Sequence, residues 1–238
     1  MPSQINVQIT GRIQNLVFYK MGDKYYARTI PARVKQTKAT KKRANEFGKA
    51  SRTGKSLRQQ LFPVIPFPSD NKMQTRLVST VFEWLRSDWY VPEKPCDEVP
   101  HVSAFQFTEG STINERWRVP LKVTISKQGV PELKIPAFVP VKSISAPANT
   151  VFVKCNIAAA GCNVEKGITT GSFYTSLDFN YDGTEVPEQM ITLTLPAPQG
   201  SLIVTAMSLT YYFTKNGQLQ KTTNKAFMPA GVIGAMYR

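Results

Sequence analysis

The tripeptide Lys215-Asn216-Gly217 constrains the fold more than any other feature of this chain. Both central residues of a two-residue type I′ turn need positive φ, which Asn and Gly adopt at least cost. The β-prone runs on either side, 211–214 and 218–221, therefore read as the two arms of an antiparallel hairpin. That hairpin ends a series. From His101 onward, short β-rich runs at 102–108, 117–125, 138–144, 150–157, 173–181, 190–195, 202–214 and 218–223 are separated by turn residues. Short strands at such spacing predict an antiparallel β-sandwich over 101–238. The closing run 226–237, apolar with Gly231 and Gly234, reads as a last strand or a docking arm.

Residues 1–100 follow different rules. Ile5, Val7 and Ile9 alternate with polar residues over 4–9, and 12–20 and 24–30 read as two further strands about the turn Met21-Gly22-Asp23. After Pro31 the apolar residues Ala44, Phe47, Ala50, Gly54, Leu57 and Leu61 recur at helical intervals until Pro63 stops the helix. Pro63, Pro66 and Pro68 then predict an extended strap. A second helix follows, capped by Ser69 or Asp70, with Met73, Leu77, Val81, Trp84 and Leu85 as its apolar stripe. Pro92, Pro95 and Pro100 mark another irregular passage. The expected organisation is a basic β-meander and helix at 1–62, a proline-rich strap with one helix at 63–100 and the sandwich at 101–238. The fold class is mainly β with two helices.

Charge is as segregated as pattern. Residues 1–62 hold fourteen Lys and Arg against Asp23 and Glu46, so they carry +12 of the net +14. A concentrated positive potential attracts polyanions, whether nucleic acid, an anionic membrane face or an acidic protein surface. In the meander Arg12, Lys20, Lys24 and Arg28 lie among Phe18, Tyr19, Tyr25 and Tyr26, a mixture able to hold phosphates and stack bases. The alternative is that one face of these aromatics packs on Phe47, Leu57 and Leu61 of the helix. Lys35 and Lys38 lead into that helix, whose cations Lys41, Lys42, Arg43, Lys49, Arg52, Lys55 and Arg58 face only Glu46. Such self-repulsion calls for an external counter-charge.

The residues Gly11, Ile13, Asn15, Phe18-Tyr19-Lys20, Gly22, Tyr26, Arg28 and Pro31, followed by the Lys-Gln-Thr-Lys-Ala-Thr-Lys-Lys-Arg-Ala run of 35–44, resemble the opening of an uncharacterised bacterial family of basic proteins. The resemblance covers about the first 65 residues. It implies a glycine-punctuated hairpin ending in Arg-x-x-Pro, then a basic helix and a β-rich remainder, and it carries over no catalytic residue.

Nothing here specifies a reaction. The stretch 48–56 superficially resembles a phosphate-binding loop, but five residues separate its glycines where four are required, and it lies inside a helical pattern. Asp178, Asn180 and Asp182 precede Gly183 at calcium-loop spacing. Yet the twelfth position is Gln189, Pro187 interrupts the loop and a strand pattern precedes it, so a polar turn is the better reading and no metal is expected. His101 is the single imidazole, and the acids of the C-terminal part form no helix-spaced pair. Cys96, Cys155 and Cys162 form an odd set without a CxxC pair and read as three reduced thiols. No cofactor is expected. The N-terminus lacks a secretory signal pattern and no run is long enough to span a membrane, which points to the cytoplasm or a particle assembled there. The expectation is a non-enzymatic structural subunit, of a phage-like particle or filament for instance. It would form a homo-oligomer or larger assembly, with apolar ends at 5–9 and 232–237 exchanging strands and the basic module docked on nucleic acid or an acidic protein surface. The alternative is a nucleic-acid-binding protein using the basic ribbon and helix.

Overall fold

Period-two alternation organises the first sheet. The computed structural model describes residues 3–4, 9–30, 36–67, 70, 72–92, 94–125, 130–196 and 198–238; Ile5, Val7, Pro31, Lys35, Pro68 and Ser69, which the sequence reading used, lie outside them. Strands β1 (Ser3–Gln4), β2 (Gly11–Ile13), β3 (Leu16–Met21) and β4 (Lys24–Thr29) form an antiparallel sheet in the order β1-β4-β3-β2. Gly22, at φ 63, turns the β3–β4 hairpin. The expected single strand over 12–20 is two strands: Ile13 pairs with Leu16 around Gln14, itself at positive φ, and the carbonyl of Asn15 accepts from Ile30 N–H at 2.7 Å.

The chain packs as two units, Met1–Arg43 and Ala44–Arg238. The reason lies in helix α1 (Lys38–Gln60) and helix α2 (Met73–Arg86). Thr37 opens α1 by accepting a hydrogen bond from Thr40 N–H, and the chain leaves it through a 3-10 turn, Phe62–Val64, around Pro63. The stripe Ala50, Leu57 and Leu61 is buried together with Met73, Leu77, Val81 and Trp84 of α2, and these residues share one core with the main sheet. Gly54 lets the helices approach, because a Cβ there would stand 3.1 Å from Val78 Cγ2. Ala44 and Phe47, expected on the stripe, are exposed; the Phe47 ring meets Phe82 edge-on. Lys72 occupies the N-cap of α2 without a side-chain bond, while Asp70 accepts from Lys72 N–H and binds the Arg76 guanidinium.

The main sheet is built from β7 (Thr150–Asn163), β8 (Ile168–Asn180), β10 (Ser201–Lys215), β11 (Gln218–Lys221) and β12 (Ala230–Tyr237), all antiparallel. Asn216 and Gly217 both have positive φ, as the I′ turn between β10 and β11 requires. On β7, Ala158, Ala160 and Cys162 face the helices, whereas Val153, Cys155, Ile157 and Ala159 face a second core. That core is roofed by a smaller sheet in the order β5-β6-β9, with β5 at Lys122–Ile125, β6 at Pro131–Ile135 and β9 at Gln189–Thr192. The two-sheet sandwich thus carries a third, helical layer.

Two expected strands are absent. Pro100 and Pro140 each sit at the first position of a one-turn helix, α3 (Pro100–Ser103) and α5 (Pro140–Ser143), where proline's fixed φ is pre-set and its missing N–H costs nothing. Another single turn, α4 (Ile113–Arg116), starts with a capping box between Thr112 and Glu115. Nor is 232–237 a free arm. Its strand β12 pairs with β10, and Tyr237 is buried against Trp84 and Tyr90.

Candidate polyanion-binding surface

In the N-terminal sheet, register decides what each face presents. Arg12 stands opposite Val17, Val17 opposite Arg28, Tyr19 opposite Tyr26 and Met21 opposite Lys24. These residues share one face, since side chains of directly opposed residues project the same way. Arg12, Lys24 and Arg28 therefore lie together around a Tyr19–Tyr26 stack with centroids 5.7 Å apart. The Arg28 guanidinium stands 5.6 Å from the centre of the Tyr19 ring. Arg12 donates from Nε to the carbonyl of Gln14. Lys20 is on the opposite face, with its ammonium 5.7 Å from the centre of the Tyr25 ring. Among the described residues no carboxylate lies within salt-bridge reach of Arg12, Lys20, Lys24 or Arg28.

Phe18, Tyr19, Tyr25 and Tyr26 are half-buried, and no residue of β2, β3 or β4 is fully buried. Leu57 and Leu61, expected as their packing partners, are instead sealed in the core of the main sheet. The aromatics thus combine accessible ring area with neighbouring cations.

The helix cations divide. Lys38, Lys41, Lys42 and Arg43 are exposed. Lys49 is not left to self-repulsion: its ammonium is 2.5 Å from Glu165 in the β7–β8 turn, whose other oxygen accepts from the Tyr90 hydroxyl at 3.0 Å. Lys49, with smaller help from Tyr90 and the charge of Arg52, holds the Glu165 carboxyl below the usual carboxylate range. This corrects the expectation that the helix faces only Glu46. Nothing in the local pattern around Glu165 announces the pairing, because it joins residues far apart in sequence. Lys55 is exposed, while Arg58 is half-buried and its Nε has no hydrogen-bond partner among the described residues.

The remaining candidates do not assemble. The phosphate-loop look-alike 48–56 is α-helical throughout. Asp178 lies on β8 beside Lys154 at 3.8 Å, Asn180 ends that strand and Asp182 accepts from Thr184 N–H. Among the described residues no group of three or more His, Cys, Asp or Glu is placed to hold a metal ion. His101 borders a shallow cleft of about 440 Å³ with Thr75, Arg76 and Gln106. Its Nδ1 is buried and, among the described residues, has no hydrogen-bond partner of the kind that orients the ring in a relay. Cys155 and Cys162 are buried, and desolvation raises both thiols above their ordinary range. Cys96 is half-buried and also free.

The fold and surface together define a mainly β chain with a basic, aromatic N-terminal sheet. Comparison with protein-family models, curated proteins and solved structures found no match. Among the described residues no helix is long and apolar enough to cross a membrane.

Proposed function

We propose that this chain is a non-enzymatic assembly subunit whose N-terminal sheet docks on a polyanion. The observation that carries the reading is the grouping of Arg12, Lys24 and Arg28 on one sheet face with no carboxylate in reach among the described residues. Arg12 and Arg28 flank Val17 two strands apart, roughly 10 Å, which is about one Debye length at 0.1 M salt. They repel at this range, and a bound polyanion would relieve that repulsion. Lys38, Lys41, Lys42 and Arg43 add exposed charge. The cytoplasm, or a particle assembled there, goes with this reading.

A second reading, a nucleic-acid-binding protein, is favoured by the Tyr19–Tyr26 pair, because aromatic platforms stack bases as well as hold phosphates. One titration addresses both. Fluorescence anisotropy of a labelled single-stranded oligonucleotide, competed with inorganic polyphosphate across a salt series, should give a linear log–log loss of affinity, with a slope of about 0.7 per cation engaged. Joint substitution Arg12→Glu, Lys24→Glu and Arg28→Glu should remove most of the binding. Retained affinity would sink the site. An oligonucleotide that resists polyphosphate, and loses this advantage in Tyr19→Ala, would move the reading to nucleic acid.

A further inference from the structure

The edges of the main sheet are treated very differently. Beyond β10, the outer side of β12 is closed by the segment 96–107: Cys96 and Tyr237 exchange backbone hydrogen bonds at 2.7 and 2.8 Å, Val99 N–H donates to Ala235 O, Val232 N–H to Phe105 O and Phe107 N–H to Ala230 O. The adjoining β11 is short, and carries Lys221 with Lys215 beside its turn. The opposite edge is β8, 13 residues long, which among the described residues pairs with β7 alone. From Gly171 to Asn180 its ladder runs without a register shift, and among the described residues its outer backbone meets no hydrogen-bond partner. A row of unpaired amides and carbonyls this long is a template for another strand, and edges are ordinarily blunted by lysine, proline, bulges or a covering segment. Between Gly171 and Asn180, β8 has no lysine, proline or bulge, and among the described residues no segment bonds to its outer backbone.

We propose that the β8 edge is an interface with a second copy of this chain, joined strand to strand across a two-fold axis so that the main sheet continues from one copy into the next. This inference rests on the assembly reading above and names its partner. Charge selects the place. Two chains of net +14 repel, so contact is favoured where cations are absent, and β8 contains no Lys or Arg. The same absence argues against a polyanion here.

The strand is also self-complementary. In an antiparallel pairing centred on Thr175, Asp178 meets Ser172 of the copy, so like charges are never opposed. On the other face Phe173 meets Leu177. Both already border the core beneath the small sheet, and pairing would extend that apolar layer across the axis.

The test is light-scattering chromatography of the whole nuclease-treated protein at high salt, which removes polyanion bridging. The parent is compared with Thr175→Pro, Ser176→Pro and the double variant Ser172→Lys with Ser176→Lys. Successive N–H groups along a strand point to opposite sides, so one proline removes an outward donor and spares the ladder to β7, while the lysine pair leaves the backbone intact. The expected result is a parent at twice the mass of one chain, with the folded proline variant and the lysine pair at the mass of one, and unchanged far-UV circular dichroism. A dimeric parent whose folded variants remain dimeric overturns the β8 interface while leaving assembly standing. A parent that is monomeric at every concentration overturns both.

Discussion

The two largest sheets of the molecule are both antiparallel, yet they solve opposite problems. In the main sheet β7 and β10 are covered on both faces, and buried residues run consecutively along them, from Cys155 to Cys162 and from Ser201 to Leu209. In the N-terminal sheet β2, β3 and β4 show no fully buried residue, and cations share the surface with half-buried tyrosines. The first sheet is stabilised by apolar burial. The second has little of that, and its side chains remain available to a ligand. What separates them is what a substitution should cost.

A pair of aromatic truncations should separate the two sheets by the largest margin. Trp84 is fully buried and packs edge-on against Tyr90 and Tyr237, so Trp84→Ala should cost about 3–5 kcal/mol in urea unfolding followed by circular dichroism. Tyr26→Ala, at a half-buried position, should change that transition by less than about 0.5 kcal/mol. Equal losses would mean that the N-terminal sheet shares the main cooperative unit. Next in size, Gly217→Ala forces a Cβ onto a residue at φ 76 where nothing crowds it, so the cost is purely conformational, about 1 kcal/mol. A neutral result would show that the β10–β11 hairpin is not part of the cooperative core.

The same contrast explains what could be read from sequence. The Asn216-Gly217 turn and the stripe Met73, Leu77, Val81, Trp84 and Leu85 were legible because each is a local rule with a fixed spacing. The strand over 150–157 extends to Asn163 because Ala158, Ala159, Ala160 and Gly161 lie between two cores; burial on both faces removes the alternation, and alanine and glycine carry little strand preference. The proline-led turns at 100 and 140 concealed helices inside β-like composition. Within the candidate surface, the cations and tyrosines could be named in advance, but their sorting could not. A turn at Gln14 splits the expected strand and leaves Arg12 paired against Val17, on the face that also holds Lys24 and Arg28. The bare β8 edge depends on which strands become neighbours, and no local pattern states that.

The smallest expected effect concerns the cation that the fold has already neutralised. Lys49 and Glu165 form an ion pair with side-chain exposures of 23% and 49%, so solvent screening limits it to about 0.2–1 kcal/mol. Because the folded state holds the Glu165 carboxyl below its usual value, the folded protein binds fewer protons at that site than the unfolded chain as pH falls through this range. The stabilisation is complete above the unfolded carboxylate value, near pH 4.3, and disappears as pH drops through the folded value. Glu165→Gln should therefore lower the melting temperature slightly at pH 7, and the gap from the parent should close on acidification. A gap that widens toward low pH would show that Glu165 is not stabilised as the carboxylate, and Lys49 would then rejoin Lys38, Lys41 and Arg43 among the cations offered to a polyanion.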